Sequence, residues 1–170
     1  MRQDVIFIEY HSESVTRPVL DRTDKAIVRE LQNDARLSNK ELAERVGVAP
    51  STCLERVRAL RTRGVILGYH ADVEPAALGR PVQAMIAVRI RRHSRELVDG
   101  FREHALSLPA TISIANVSGA DDFLLHVAVE STDALRTMLL DRIASRPEVV
   151  HTETHLVFDH RRRPGVEPVI

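Results

Sequence analysis

Between Leu37 and Pro50 the sequence specifies both ends of one short helix and the start of the next, which limits what the first third of the chain can become. Ser38 and Glu41 are spaced as a capping box, each side chain placed to satisfy a backbone N–H left free at the helix start, and Leu37 and Leu42 take the positions of a hydrophobic staple. Leu42, Ala43 and Val46 supply an apolar face, and Gly47 follows where the chain must enter a left-handed conformation that is cheap for Gly or Asn. After the three residues Gly47 to Ala49, Pro50 suits the first position of a further helix, because its φ is preset and the N–H it lacks would be unpaired there. That helix runs to a second glycine stop at Gly64. Upstream, Asp21 followed by Asp24 is an N-cap pattern, and Ile27 and Leu31 recur at helical spacing, so a first helix ends near Asn33.

The third helix divides by side. Cys53, Leu54, Val57 and Leu60 form an apolar stripe, and a rotation of about 100° per residue puts Ser51, Thr52, Glu55, Arg58 and Ala59 opposite, with Arg56 and Arg63 flanking. Three helices with a tight second turn and a polar, basic outer face on the third fit helix-turn-helix logic, in which the later helix enters the major groove of double-stranded DNA. Pro50 opens that helix, and Ser51, Thr52, Glu55 and Arg56 lie in the half where base edges are met; Arg58, Arg61 and Arg63 are better placed for phosphates. The chain's net charge is zero, yet residues 17–70 hold 11 basic and 7 acidic side chains while residues 71–170 hold 12 and 14, so a basic module is joined to a mildly acidic one. The bland alternative is a three-helix domain with a solvated basic face.

The second half changes period. Residues 65–70 read as a strand, and the stretch up to Pro81, with Pro75 and Gly79, reads as a linker. Val82 to Ile90 alternates as a strand with one buried face, and Ser94 caps a helix carrying Leu97, Val98, Phe101, Ala105 and Leu108 on one side. Thr111 to Val117 and Phe123 to Val129 read as an antiparallel pair around the loop Ser118-Gly119-Ala120-Asp121-Asp122. Ser131 caps a helix with Leu135, Met138, Leu139 and Ile143 on one side, and a last strand runs from Val149 to Phe158. The expected class is α+β: an N-terminal helix-turn-helix domain and a C-terminal ferredoxin-like βαββαβ domain. The boundaries read as an extension over 1–18, the helical domain over 19–70, a linker over 71–80, the βαββαβ domain over 81–160 and a tail over 161–170.

Composition narrows the function classes. With 44% hydrophobic and 28% charged residues the chain is an ordinary folded protein, and no apolar run approaches a membrane span. Acidic residues near the N-terminus are unlike a signal peptide, and the single cysteine, Cys53, suits a reducing compartment, so the expected location is the cytoplasm with no membrane partner. No phosphate-binding glycine loop, nucleophile elbow or His-Glu metal pair at helical spacing is found, which leaves an enzyme reading without residues and no catalytic site expected. Cys53 reads as a small buried hydrophobe. His151, Glu153 and His155 share one face of the last strand, but three potential ligands without a fourth read as solvated or interfacial, so no metal is expected. Arg161 to Arg163 read as a solvated basic patch.

A set of motifs adds a more specific reading: Leu20-Asp21-Arg22-x-Asp24, Leu37-Ser38-Asn39-x-Glu41-Leu42, Val46-Gly47-Val48-x-Pro50, Cys53-Leu54-Glu55-Arg56-Val57-Arg58-x-Leu60, Gly64-Val65-Ile66-x-Gly68-Tyr69 and Val117-Ser118-Gly119-x-x-Asp122-Phe123-Leu124-Leu125. In these, over roughly residues 20–160, the chain resembles the Lrp/AsnC, or feast/famine, regulators of bacteria and archaea. The resemblance implies a winged-type helix-turn-helix followed by a ferredoxin-like regulatory domain that assembles as dimers and often octamers, and a role in amino-acid metabolism. It also implies that Ser118, Gly119 and Asp122 belong to a loop lining an amino-acid effector pocket between protomers, with no other cofactor. The chain departs from the pattern at Ala120, where many members carry Asp, and in its N-terminal extension.

The loop residues have a structural reading as well. Gly119 suits a positive φ in any hairpin loop, and Asp122 can hydrogen-bond the loop backbone instead of an effector's ammonium group. The second functional class is a ligand-binding oligomerisation module whose N-terminal helices bind protein; the steep salt dependence of phosphate neutralisation separates it from a DNA binder.

Overall fold

The computed structural model describes residues 19–91, 94–163 and 165–166. The extension read over 1–18 lies outside the described residues. The chain forms two units, one of residues up to Ala71 together with those from Arg162 onward, the other Asp72–Arg161.

In the first unit α1 (Arg22–Asn33) starts on Asp21, whose side chain accepts from the Asp24 N–H. For α2 (Asn39–Val46) both halves of the Ser38/Glu41 capping box form, and Gly47 ends it at φ 71°. Proline opens α3 (Pro50–Thr62) after the uncapped Ala49. Ile27, Leu42, Ala43, Cys53 and Leu60 are buried together, with Leu37 and Val57 packed against them. Fully burying side chains such as Ile27 and Leu60 contributes about 2 kcal/mol each, which holds three helices too short to persist alone. Cys53 is buried as expected, and burial pushes its thiol pKa up.

Two expectations fail here. Residues 65–70 form no strand: Val65 and Ile66 turn back onto the helical core, their N–H groups donating to the Leu60 carbonyl, while Leu67 and Tyr69 are exposed. The apolar pair is used to close the helical core and leaves no backbone free for a ladder. Leu54, read as part of the buried stripe, is 39% exposed because α3 is rotated so that Cys53 and Leu60 face inward.

The second unit begins with a 3₁₀ turn at Pro75–Leu78, inside the stretch read as a linker. There follow β1 (Val82–Ile90), α4 (Arg95–Ser107), β2 (Thr111–Asn116), β3 (Phe123–Val129), α5 (Thr132–Met138), which continues as a π-helical segment Leu139–Ala144, and β4 (Val149–Leu156). The sheet order is β2-β3-β1-β4 with every neighbouring pair antiparallel, the split βαβ arrangement read from the sequence. Alternate residues Ala84, Ile86, Val88 and Ile90 of β1 and Phe123, Leu125, Val127 and Val129 of β3 pack with Phe101, Ala105, Leu135, Met138 and Ile143 of the helices. Among the described residues no helix is long and apolar enough to cross a membrane.

The face away from the helices carries Met85, Ala87 and Arg89 from β1 and His126 and Ala128 from β3, while Glu153 and His155 of β4 stand beside Ala87 and Met85 in register. His126 is buried there, its Nε2 2.9 Å from Gln83 Oε1 and its ring 4.8 Å edge-on from His160. Its register partners are Met85 on β1 and Ser113 on β2, with His155 beyond Met85. Burial first, then the nearby His160 charge, holds the His126 pKa below its usual value. A base whose folded-state pKa is depressed stabilises the fold above its unfolded pKa and loses that contribution as pH falls. The thermal midpoint of the second unit should therefore drop as pH goes from about 7 to about 5.5, and His126→Gln should flatten that dependence; calorimetric melts across this range make the comparison.

Candidate nucleic-acid interface and ligand loop

Along α3, Pro50, Ser51, Thr52, Glu55 and Arg58 are exposed. Ala49 offers no capping side chain and Pro50 has no N–H, so the first turn presents the Ser51 and Thr52 N–H groups outward. The Pro50 carbonyl accepts from Asn39 Nδ2 at 2.8 Å, fixing the start of α3 against the start of α2. Arg58 makes no ion pair with a described residue, and Arg61 lies 6.0 Å from the Tyr69 ring centre as a cation–π contact.

Arg56 and Arg63 are placed differently from the sequence reading, which assigned Arg56 to bases and Arg63 to phosphates. Arg56 Nη1 donates to Asp21 Oδ2 at 2.5 Å and Asp24 Oδ1 at 2.9 Å. Arg63 donates to Asp24 Oδ2 at 3.3 Å and to the Val19 carbonyl at 2.9 Å. Both guanidinium groups are thus spent within the unit. The hydrogen bonds with Asp21 and then Asp24 raise the Arg56 pKa, while the Asp24 N–H and then Arg56 hold the Asp21 carboxyl below its usual value. The Asp24 side chain is 9% exposed, so these partners take the place of the water it has given up. Nothing in the linear sequence marks the pairing, since 32 and 39 residues separate Asp24 from Arg56 and Arg63.

In the second unit the loop from Ser118 to Asp122 joins β2 to β3, with Ser118 and Gly119 exposed and Gly119 at φ 134°. A Cβ at Gly119 would meet nothing within 4 Å, so a side chain there is opposed by backbone strain and not by a filled space. Asp122 does not offer the free carboxylate that the effector reading gave it. Its Oδ2 accepts from the Ile90 N–H at 2.8 Å, its N–H donates to the Val88 carbonyl at 3.0 Å, and its carbonyl accepts from Val117 N–H and Asn116 Nδ2. It stitches the loop to β1 where the β1/β4 register shifts between Arg89 and Ile90. Two residues that sequence reasoning passed over flank it: Arg89 Nε donates to the Ala120 carbonyl at 2.5 Å, and Arg89 Nη2 lies 3.6 Å from Asp121 Oδ1. On β4, His155 and Glu153 stand 3.5 Å apart, and among the described residues no three potential ligands gather into a metal-binding group.

Residues 20–61 match the AsnC-type helix-turn-helix domain, and residues 83–165 match the Lrp/AsnC ligand binding domain. The chain belongs to the Lrp/AsnC family of transcription regulators. It is similar to the HTH-type transcriptional regulator AldR of Mycolicibacterium smegmatis, 41% identical over 150 residues that cover 88% of this chain and 86% of that protein. It is also similar to the leucine-responsive regulatory protein of Escherichia coli, 36% identical over 82% of this chain and 85% of that one. Among solved structures, a transcriptional regulator of Neisseria meningitidis in complex with L-methionine superposes with a TM-score of 0.77 at 30% identity, covering 85% of this chain and 93% of that one. Escherichia coli AsnC superposes with a TM-score of 0.77 at 28% identity, covering 88% and 99%.

Within this Lrp/AsnC regulator the Asp24 network has a measurable consequence. Asp24→Ala leaves two facing cations without their shared anion, and because both arginines are partly solvated the cost falls between that of an exposed and a buried pair, about 2 kcal/mol. Urea unfolding of the variant should show that loss in the first unit.

Proposed function

We propose that this regulator binds double-stranded DNA as a dimer or higher assembly through α3, and that an amino acid bound by the Asp72–Arg161 unit alters its assembly or its DNA affinity, as suits a cytoplasmic regulator of amino-acid metabolism. The observation that carries the DNA half is the division of α3: Arg56 and Arg63 are neutralised inside the unit, while Ser51, Thr52, Glu55 and Arg58 face out beside an uncapped helix start. Ser51, Thr52 and Glu55 are the base-reading candidates, and the Ser51 and Thr52 N–H groups with Arg58 are suited to phosphates. Arg56 and Arg63 act by orienting α3. The ligand half rests on the matched ligand-binding domain, on the L-methionine held by the Neisseria relative, and on the exposed Ser118-Gly119 loop with open space above it. No catalytic step and no cofactor beyond the amino acid belong to this reading.

Arg58→Ala should weaken binding to all DNA sequences and reduce the slope of log affinity against log salt by about 1 without moving the melting midpoint, whereas Arg56→Ala should lower the midpoint. Gel shifts on DNA upstream of the protein's own gene, run over a salt series and paired with melts, separate the two; unchanged affinity in Arg58→Ala would remove α3 as the reading helix. For assembly, helices cover one face of the sheet while Met85 and Arg89 lie on the other. Residues from Gly79 onward, expressed alone, should fold and remain at least dimeric by light scattering at micromolar concentration.

A further inference from the structure

Three consecutive arginines, Arg161 to Arg163, follow β4 in neither helix nor strand, and all three are exposed. Arg161 pairs with Asp159 at 2.9 Å, but with side chains 89% and 69% exposed the pair contributes little and parts easily for another anion. Arg163 makes no ion pair with a described residue. The run would be an ordinary solvated patch if it trailed from β4, yet from Arg162 onward the chain belongs to the helical unit. Its seat there is Gly165. A Cβ at that position would overlap Gln32 Oε1 and lie 2.6 Å from Gln32 Cδ and 2.7 Å from Gln32 Cβ, so the backbone rests against α1 at a distance that only glycine permits. Gln32 lies in the last turn of α1, residues 34–38 lead from there to α2, and Asn39 at the start of α2 holds the Pro50 carbonyl at the start of α3. Arg36 in that connection and Lys40 in the first turn of α2 are exposed cations. The arginine run is therefore carried to the end of α1 that leads into the helix-turn-helix.

We propose that residues 161–163 form a basic arm that lies on the phosphate backbone of double-stranded DNA beside the stretch met by α3. On an extended chain successive residues advance about 3.4 Å, which is also the axial spacing of phosphates along one strand, so consecutive arginines can follow a single strand. Arginine suits the task because its fork of N–H donors engages phosphate oxygens in pairs. The arm reads no bases: it adds affinity and salt dependence and leaves the choice of sequence to α3. The assignment rests on the DNA half of the proposed function and extends it to a segment outside the helix-turn-helix.

The test compares the full-length wild type with R161Q/R162Q/R163Q, with Arg163→Gln alone, and with Gly165→Val, which keeps every charge but forces the arm off α1. A second triple variant, Arg95→Gln, Arg136→Gln and Arg142→Gln at exposed positions of the second unit, controls for net charge. Fluorescence anisotropy on a long duplex from upstream of the protein's own gene, over a salt series, measures affinity. At about 0.15 M salt the arm triple should lose roughly tenfold to a hundredfold, and its slope of log affinity against log salt should fall by about 2. Arg163→Gln should lower the slope by about 1, and Gly165→Val should weaken binding with its net charge unchanged. The ratio of affinities for that duplex and a scrambled one should stay constant. In hydroxyl-radical footprints the wild type should protect flanking backbone positions that the arm triple leaves open. An arm triple no weaker than the charge control overturns the proposal, as does lost affinity with an unchanged footprint and a lower melting midpoint, which would make the run a structural strap. Unchanged DNA binding with altered sedimentation would also overturn it and assign the run to an acidic surface of a second copy. If the wild type shows no salt-dependent DNA binding, the DNA half of the proposed function falls with the arm; if Arg58→Ala weakens binding and the arm triple does not, the arm alone falls.

Discussion

The Asp24 carboxylate is almost closed to water and lies between the guanidinium groups of Arg56 and Arg63, and the seating of α3 on α1 depends on it. A carboxylate withdrawn from water is tolerable only while its cations and hydrogen bonds stay in place. The pairing therefore does more than add an attraction: it penalises rotations or slides of α3 that would strand Asp24. The hydrophobic contacts of Ile27, Cys53 and Leu60 are non-directional and would permit several such rotations. What reaches solvent from α3 follows from this seating, since the two arginines turned inward leave Arg58 and the small polar residues of the first turn outside.

The same separation of inward and outward charge recurs at the β2–β3 loop, on adjacent residues. Asp122 is consumed by backbone groups of β1, which fixes the loop over the strand end, and Asp121, one residue earlier, points to a solvated arginine. Backbone N–H groups at a strand end that has just lost its register must find acceptors, and a carboxylate arriving from the loop supplies one. Ala120 matters to this loop through its carbonyl oxygen, the acceptor for Arg89.

Local signals were legible where the physics is local. The Ser38/Glu41 box, the stop at Gly47, the proline start at Pro50 and the Ser94 and Ser131 caps each satisfy backbone groups within a few residues, so their spacing alone placed helices at those points. Alternation in β1 and β3 showed which residues face the helices. Residues 65–70 misled for the converse reason: Val65 and Ile66 suit a strand and a helical core equally, and the nearest unsatisfied surface was the core. The helical wheel also placed Arg56 on a flank without showing which way a flanking arginine would bend.

By itself the sequence determined the two-part architecture, the identity and order of the elements, the side of α3 rich in polar residues, and the loop worth inspecting, because capping, periodicity and turn chemistry act over a handful of residues. The tertiary structure decided which charged groups are spent and which remain available. Asp24 meets arginines 32 and 39 residues away, and Arg89 meets a loop 31 residues away. An ion pair is selected by distance and burial in three dimensions, and neither is fixed until the helices and strands have packed.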